Sequence, residues 1–237
     1  MGIFAKPLGY LLSWLYGIIG SYGIALVVLT LIVKIALYPL YAKQIKTTTN
    51  MTKLQPKIRE IQQKYAKNKE LMNQKMAELY EKEGGNMYGG CMPMLVQMFV
   101  IMGLFALLRN PMAYIDDDNM LFAIHESFLW IPDLAQPDKW ILPIASCVAT
   151  FISFTMNQSN TAAAGNQAQT NFMNSMMKYI FPVTILVLAR SYPAGLAIYW
   201  FVGQIVQIFF NIRFKSLRKK LMEEDAPKGK KKSKARA

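Results

Sequence analysis

A single cation interrupts a long apolar run near the N-terminus of this 237-residue chain: Ile24-Ala-Leu-Val-Val-Leu-Thr-Leu-Ile-Val-Lys34-Ile-Ala-Leu-Tyr-Pro39. With its flanks, the run is long enough to cross a bilayer, whose hydrocarbon core is about 30 Å thick. A lone ammonium near mid-membrane costs about 2.5–3.5 kcal/mol and persists mainly where it faces water or a functional cavity. Lys34 therefore predicts a polar site inside a membrane protein.

Polar side chains recur at helical spacing in three apolar segments, so each set lies along one face of a helix. The three stripes are Thr30, Lys34, Tyr38 and Tyr41; Ser146, Thr150, Ser153 and Asn157; and Trp200, Gln204, Gln207 and Asn211. Gln97 adds a polar group to a fourth apolar segment. Small polar residues often serve only as hydrogen-bonding links between membrane helices, and this alternative stays open for each stripe alone.

Three stripes together with a buried cation favour a shared, hydrated groove. Its predicted lining residues are Lys34, Thr30, Gln97, Ser146, Thr150, Ser153, Asn157, Trp200, Gln204 and Gln207.

Composition indicates an all-α membrane protein. The chain is 53% hydrophobic yet carries a net charge of +13, so it combines long apolar runs with strongly basic stretches, which is rare in a soluble domain. Five candidate transmembrane helices are predicted, at residues 24–41, 92–109, 140–157, 177–191 and 196–212. The last two are expected to form a tight hairpin through Ser191-Tyr-Pro-Ala-Gly195.

The distribution of lysine and arginine predicts the orientation of these helices. Residues 41–90 hold ten basic and five acidic side chains, the tail from residue 213 holds eleven and three, and residues 111–138 hold six acidic and no basic ones. Basic segments remain in the cytoplasm, so the acidic loop and the N-terminus are predicted outside and the C-terminus inside.

Four regions are predicted along the chain. Residues 1–22 are expected to form an uncleaved interfacial helix, although a signal peptide is the rival interpretation. Residues 23–41 and 91–213 form the five-helix membrane core. Residues 42–90 form a cytoplasmic helical hairpin, with a kink or restart at Pro56, and residues 214–237 form a basic tail. The hairpin's predicted seam consists of Met51, Leu54, Ile58, Ile61, Tyr65, Met72, Met76 and Leu79.

The sequence gives little support for catalysis or for a cofactor. His125 is the only histidine and lies in the acidic loop beside Glu126. Cys91 and Cys147 are expected at opposite ends of their helices, which argues against a disulfide or a shared metal site. The acidic run at residues 116–118 could bind a cation weakly, but acidic runs in outer loops are more often solvated without a bound metal. We therefore predict no enzyme activity, no catalytic residues, no metal and no cofactor.

Several motifs, taken in order, resemble the YidC family of membrane insertases. They are Tyr38-Pro-Leu-Tyr-Ala-Lys-Gln44, Met51-Thr-Lys-Leu-Gln-Pro-Lys-Ile58, Gly90-Cys-Met-Pro-Met-Leu-Val-Gln97, Phe128-Leu-Trp-Ile-Pro-Asp-Leu134, Phe181-Pro182 and Pro193-Ala-Gly-Leu-Ala-Ile-Tyr-Trp200. The resemblance covers nearly the whole chain and implies a five-helix insertase whose groove opens to the cytoplasm and to lipid. Lys34 stands where the family carries an arginine, Phe99 where it commonly has proline, and Gln204 where asparagine is expected.

The resemblance also implies a location and partners. The chain is expected in the bacterial cell membrane as a multi-pass insertase and chaperone for nascent membrane proteins. From their charge, its basic tail and cytoplasmic loops are expected to contact the ribosome and membrane lipids, and a protein-translocation channel is a further candidate partner. DNA is not an expected partner.

Two other functions stay open at this point. A small transporter or proton pathway would use Lys34 as a titrating group, and it predicts inverted repeats between the two halves of the chain, which the sequence does not display. A ribosome tether would use only the basic tail, so its polar stripes would be dispensable.

Overall fold

The computed structural model describes residues 2–83, 92–115, 118–158, 172 and 175–224. Extended pairing within these ranges is limited to one isolated bridge between Phe128 and Ile131, and the all-helical class predicted from the sequence is confirmed. The helices are α1 (Gly2–Ile19), α2 (Tyr22–Lys64), α3 (Lys69–Lys82), α4 (Met92–Arg109), α5 (Asp118–Ala123), α6 (Ile141–Gln158), α7 (Phe181–Ser191) and α8 (Ala194–Glu224). A 3-10 turn at Pro111–Ala113 follows α4, and a π-helical turn at Met176–Ile180 leads into α7.

Two described helices, Tyr22–Lys64 and Ala194–Glu223, are long and apolar enough to cross a membrane. Leu95–Arg109 and Ile141–Asn157 are shorter apolar segments. These four segments and α7 overlap the five predicted spans in sequence. The chain turns between α7 and α8 within Tyr192 and Pro193, where the sequence predicts a tight hairpin. The number of spans stays a prediction.

The longest helix joins the first predicted span to the first arm of the predicted hairpin. α2 runs for 43 residues and contains both Pro39 and Pro56, so the helix does not restart at Pro56, and the other predicted outcome, a kink there, stays a prediction. Proline removes one backbone donor, but Leu54 and Ile58, on either side of Pro56, are both buried against α3. This packing stabilises the turns before and after the proline.

The hairpin itself is formed by the second half of α2 and by α3. Asn68 caps α3, since its side chain accepts a hydrogen bond from the Leu71 N–H at 3.1 Å. Leu54, Ile58 and Tyr80 form the buried seam, with Met76 and Leu79 packed against it. Tyr80 was not among the predicted seam residues. The side chain of Met51 and the end of the hairpin at residues 84–85 lie outside the described residues.

Helix α1 packs lengthwise against α4. The rings of Phe4 and Phe99 stack with centroids 5.3 Å apart, and a Cβ on Gly103 would lie 2.9 Å from the Cβ of Phe4. A Cβ on Gly9 would lie 2.8 Å from the carbonyl oxygen of Tyr114. Glycine at position 103 therefore permits the close approach of α1 and α4, and glycine at position 9 admits the backbone that follows α4. The interfacial placement of α1 stays a prediction.

The connection between α4 and α6 packs against the end of α1 and the start of α2. The Glu126 carboxylate accepts hydrogen bonds from the Tyr16 hydroxyl and from the Tyr22 N–H, each at 2.8 Å. Because Tyr22 is the first residue of α2, Glu126 satisfies a donor that the helix leaves free. The Phe128 ring packs directly over Gly23. These contacts fix the connection against the start of α2.

Candidate functional site

Lys34 lies in the bundle interior, where only 4% of its surface is exposed. Its ammonium donates a hydrogen bond to Gln97 Oε1 at 3.2 Å and lies 5.6 Å from the centroid of the Tyr41 ring. The Tyr41 hydroxyl also donates to Gln97 Oε1, at 3.1 Å, and Gln97 Nε2 donates to the Tyr199 hydroxyl at 2.9 Å. One amide thus links α2, α4 and α8 around the cation.

The partners of the Lys34 ammonium are neutral. Among the residues that the structure describes, no carboxylate lies within salt-bridge distance of Lys34. A buried ammonium normally requires a paired anion or several strong hydrogen bonds to offset its lost hydration. The site therefore combines a buried positive charge with neutral hydrogen-bonding neighbours.

Glycine permits α8 to approach Lys34 closely. A Cβ on Gly203 would lie 3.1 Å from Lys34 Cε, which is tighter than ordinary side-chain contacts, and 3.7 Å from Nζ. Thr30 lies one turn before Lys34 on α2 and is fully buried, and its hydroxyl donates to the Leu26 carbonyl at 2.7 Å. Thr30 therefore borders the Lys34 site with its methyl group near Gly203, while its hydroxyl bonds within its own helix.

A second polar group joins α6 to α8. Trp200 Nε1 donates to the Thr150 hydroxyl at 2.9 Å, and that hydroxyl donates to the Ser146 carbonyl at 2.6 Å. The hydroxyl of Ser146 is buried and has no hydrogen-bond partner among the described residues. An unsatisfied buried hydroxyl costs stability, so this oxygen is available to a further polar group.

The same two helices meet again nearer their ends. Asn211 Nδ2 donates to the Ser153 carbonyl at 3.1 Å, and Gln207 Nε2 donates to Asn211 Oδ1 at 3.2 Å. Gln204 and Asn157 are half-buried in the same region. The two predicted stripes thus lie against each other along the α6–α8 contact.

The Lys34 group and the α6–α8 group occupy neighbouring faces of α8. Gly203 faces α2, Tyr199 bonds to Gln97 of α4, and the next residue, Trp200, faces α6 together with Asn211, as expected for about 100° of rotation per residue in a helix. The structure brings Lys34 together with Gln97 and Thr30, and it brings Ser146, Thr150 and Ser153 together with α8. The described hydrogen bonds do not join the two groups directly.

An apolar groove lies beside these polar contacts. It has a volume of about 480 Å³ and is bordered on one side by α6 and on the other by α8. Its lining side chains are apolar throughout: Ile141, Ile144, Val148, Ile152, Phe201, Ile205 and Ile208 are among them. Several are strongly exposed, including Ile144 and Val148. In a membrane, this surface would face lipid tails.

Tyr199 and Gly203 are absent from the predicted lining, and Tyr41 and Asn211 appear only in the stripes. Tyr199 and Gly203 are spaced i, i+4, which is the signal of a shared helix face, but an apolar-looking face with one glycine reads as ordinary helix packing. Gly203 carries no polar group, so only the approach of α8 to Lys34 reveals its role.

His125 and Cys147, the described residues considered as candidates for catalysis or metal binding, make no described contact with Lys34. His125 Nδ1 is 3.1 Å from Asp133 Oδ2 in the connection between α4 and α6, and Cys147 is a half-buried free thiol on α6. Within the described part of the chain, no group of three or more His, Cys, Asp or Glu side chains could hold a metal. Cys91 and residues 116–117 lie outside the described part of the chain.

Known proteins of one membrane-protein family are similar to this chain over most of its length. A family model described as the 60Kd inner membrane protein matches residues 14–221. The membrane protein insertase YidC of Oceanobacillus iheyensis is 35% identical over 213 residues, which cover 87% of this chain and 80% of that protein. The chain belongs to the YidC membrane insertase family. The resemblance stated from the sequence motifs is thereby confirmed.

Two further YidC proteins support this assignment. YidC 1 of Listeria monocytogenes is 33% identical over 228 residues, covering 93% of this chain and 73% of that protein. A crystal structure of an active YidC insertase, with its first transmembrane domain resolved, superposes with a TM-score of 0.59 at 29% identity. The match covers 87% of this chain and 45% of that solved chain. The family is one of inner-membrane proteins and is not a known family of catalytic enzymes.

Proposed function

We propose that this chain inserts nascent membrane proteins by receiving a short acidic segment of the substrate at Lys34, with no covalent step and no cofactor. The observation that carries the proposal is a buried ammonium whose described hydrogen-bond partner is the neutral amide of Gln97. A substrate carboxylate would give Lys34 a charge-assisted hydrogen bond, which is roughly twice as strong as a neutral one. The acidic segment is therefore attracted into a site that otherwise holds an undercompensated charge.

The polar residues between α6 and α8 supply partners for the substrate's backbone. A polar segment that leaves water loses its hydrogen bonds, at a cost of about 1–3 kcal/mol for each unsatisfied group. The unpaired Ser146 hydroxyl and the half-buried amide of Gln204 support this role. Thr150, Ser153 and Gln207 would exchange their present partners for groups of the substrate.

The apolar segment of the substrate would move along the groove between α6 and α8. This groove is apolar throughout and passes beside the Trp200–Thr150 contact. Moving apolar surface from water into lipid releases roughly 25 cal/mol per Å², so hydrophobic transfer drives the net reaction. The protein's contribution is to lower the cost of carrying the polar end through the membrane.

We infer the orientation and the regional division from charge. The hairpin (residues 42–90) and the tail (residues 214–237) lie in the cytoplasm, the N-terminal helix (residues 1–22) lies at the outer surface, and residues 23–41 and 91–213 form a core of five spans. Cys147 lies in the outer half of its span and should react from outside with a membrane-impermeant thiol reagent. Labelling of Cys91 alone from outside would contradict this orientation.

The basic regions are proposed as contacts for partners other than the substrate. The exposed basic faces of the hairpin and the low-complexity tail suit ribosomal RNA and anionic lipid, and a translocation channel is a further partner. Each of these contacts is expected to weaken as salt concentration rises, because it depends on exposed charge.

Substitution of Lys34 tests the proposed function most directly. Lys34→Arg should retain insertion of substrates with acidic translocated segments, whereas Lys34→Ala and Lys34→Glu should slow it by roughly ten- to a hundredfold, as expected for the loss of one charged hydrogen bond. Insertion into proteoliposomes, scored by protease protection, measures the effect.

A substrate whose translocated segment carries no acid provides the matched control. Its insertion should depend much less on the charge at position 34. Full activity of Lys34→Glu on the acidic substrate would contradict the proposal, as would an equal loss for both substrates.

A further inference from the structure

A cavity of about 400 Å³ lies where the C-terminal end of α4 meets the turn between α7 and α8. Its lining combines apolar side chains with one guanidinium and two hydroxyl groups: Phe105, Leu108, Arg109, Ser191, Tyr192 and Leu196. Under the proposed orientation, both helix ends lie at the outer surface of the membrane. The cavity therefore lies where lipid headgroups meet lipid tails.

Two aromatic rings lie beside the Arg109 guanidinium at the cavity. The guanidinium carbon of Arg109 is 5.6 Å from the centroid of the Phe105 ring. The Phe105 ring meets the Tyr192 ring edge to face, with centroids 5.0 Å apart. The rings thus connect α4 to the α7–α8 turn and leave the Arg109 side chain exposed at the cavity. The Ser191 hydroxyl donates to the Val187 carbonyl at 3.0 Å, so Arg109 is the strong donor that an anion would meet.

Arg190 provides an instructive contrast within the same region. It precedes Ser191, but its guanidinium stacks on the Trp140 ring at 4.0 Å, and it does not line the cavity. Under the proposed orientation only four basic residues lie on the outer side, at positions 6, 109, 139 and 190. Because basic residues are scarce on this side of the membrane, Arg109 is one of few groups there that can bind an anion, and it is the one that lines the cavity.

We propose that this cavity binds the phosphate of an anionic lipid from the outer leaflet. The guanidinium fork of Arg109 would donate to two phosphate oxygens, a geometry that arginine provides and lysine does not. The glycerol and the upper acyl chain would lie against Phe105, Leu108 and Leu196. Among the residues that the structure describes, the cavity lining includes no carboxylate to pair with an amine, so a headgroup with net negative charge is favoured over phosphatidylethanolamine.

Lipid retention tests this site without any insertion substrate, so its failure is distinct from failure of the insertion proposal. The full chain is reconstituted in nanodiscs of equal phosphatidylglycerol and phosphatidylethanolamine, extracted into detergent, and its retained lipids are identified by native mass spectrometry. Arg109→Gln should lower retained phosphatidylglycerol about tenfold, as expected for one bidentate charged contact. Arg109→Lys should retain an intermediate amount.

Arg190→Gln is the matched control, since it removes the same charge from the same side of the membrane. It should leave phosphatidylglycerol retention unchanged. Equal losses in the Arg109 and Arg190 variants would overturn the site in favour of a general charge effect. Unchanged retention in Arg109→Gln would also overturn it and would leave Arg109 as a cation that stabilises the C-terminal end of α4.

Two additional measurements separate the ligand sources and guard against misfolding. Inorganic phosphate should not displace the lipid at millimolar concentration, and displacement would show recognition of free phosphate instead. Ser191→Trp should fill the cavity from an exposed position and lower retention while Arg109 stays in place. The melting temperature of each variant in the same detergent shows whether it is folded, and normal retention in a folded Ser191→Trp would count against the site.

Discussion

Within the described part of the chain, the contacts of the Lys34 side chain are neutral and include the Gln97 amide, the Tyr41 ring and the close approach of α8 at Gly203. Neutral oxygens and a ring face offset less of the lost hydration than a carboxylate does. A permanent acidic partner would compete with an incoming acidic segment, so a neutral surrounding keeps the charge available. At the scale of single residues, the site is suited to exchanging weak partners for a stronger one.

Gly203 should matter for function more than for stability. Gly203→Ala would bring a methyl group to 3.1 Å from Lys34 Cε, and the flexible lysine would move away from Gln97. Helix propensity gains about 0.5–1 kcal/mol from this change, and the crowded atom belongs to the far end of a flexible lysine that can move aside, so crowding costs only about 1 kcal/mol, the low end of the usual range. We expect insertion of an acidic substrate to fall several-fold while the melting temperature changes little.

Gly195→Ala is the matched control for this prediction. Gly195 lies on the same helix, and its added Cβ would meet Leu26 Cδ1, also at 3.1 Å. Crowding is therefore similar, but no charged group moves. If both variants inserted substrate equally well, the close approach at Gly203 would be ordinary helix packing.

The sequence predicted this site only in part. Lys34, Gln97 and the α6–α8 stripes could be found because a polar residue in an apolar segment is a strong signal. Tyr199 and Gly203 could not, since a tyrosine beside a tryptophan and a glycine in a membrane helix are both common. Spacing also could not show that α8 presents two neighbouring polar faces, because that depends on where α2 and α6 pack around it.

Among the elements, the helix bounds were easier to predict than the relations between helices. Apolar length predicted α4, α6 and the α7–α8 hairpin closely. The continuity of α2 through Pro56 was missed, because the burial of Leu54 and Ile58 against α3 is a tertiary contact that overrides the local effect of proline. The packing of α1 along α4 was also missed, because it depends on close approaches at Gly9 and Gly103.

Gly23 tests how firmly the connection between α4 and α6 is held against α2. A Cβ on Gly23 would lie 2.2 Å from the Phe128 ring, a distance at which the ring must move. Gly23→Ala should therefore displace Phe128 and lower stability by about 1–3 kcal/mol or more, since overpacked cores lose about that much. The melting temperature in detergent measures the loss.

Gly17→Ala serves as the control for that loss, because nothing lies within 4 Å of its added Cβ. We expect its melting temperature to equal or slightly exceed that of the parent chain. A stable Gly23→Ala variant would show that the Phe128 contact is loose and that other contacts, including those of Glu126 and the buried Ile131 and Leu134, fix the connection.

Over the whole molecule, the charge of the chain is segregated from its apolar groove. Residues 41–90 and the tail from residue 213 carry 21 of the 27 basic side chains, ten in the first and eleven in the second. The groove between α6 and α8 has an apolar lining, and the proposed substrate site holds one cation. This division predicts that docking and insertion are separable functions, because they reside in different parts of the chain.

Deleting residues 228–236 separates the two functions. This basic segment lies outside the described residues and contains six of the eleven basic side chains of the tail. Its deletion should weaken ribosome binding and flatten the salt dependence, since each lost charge contact removes part of the counterion release. Insertion of a substrate supplied after translation should survive, because Lys34 and the α6–α8 groove stay intact, while co-translational insertion should slow.

A tail of equal length with glutamine in place of every lysine and arginine distinguishes charge from length. Ribosome binding by the truncated chain equal to that of the full chain at every salt concentration would leave the tail as an orientation signal only, and the α2–α3 hairpin would become the expected ribosome contact.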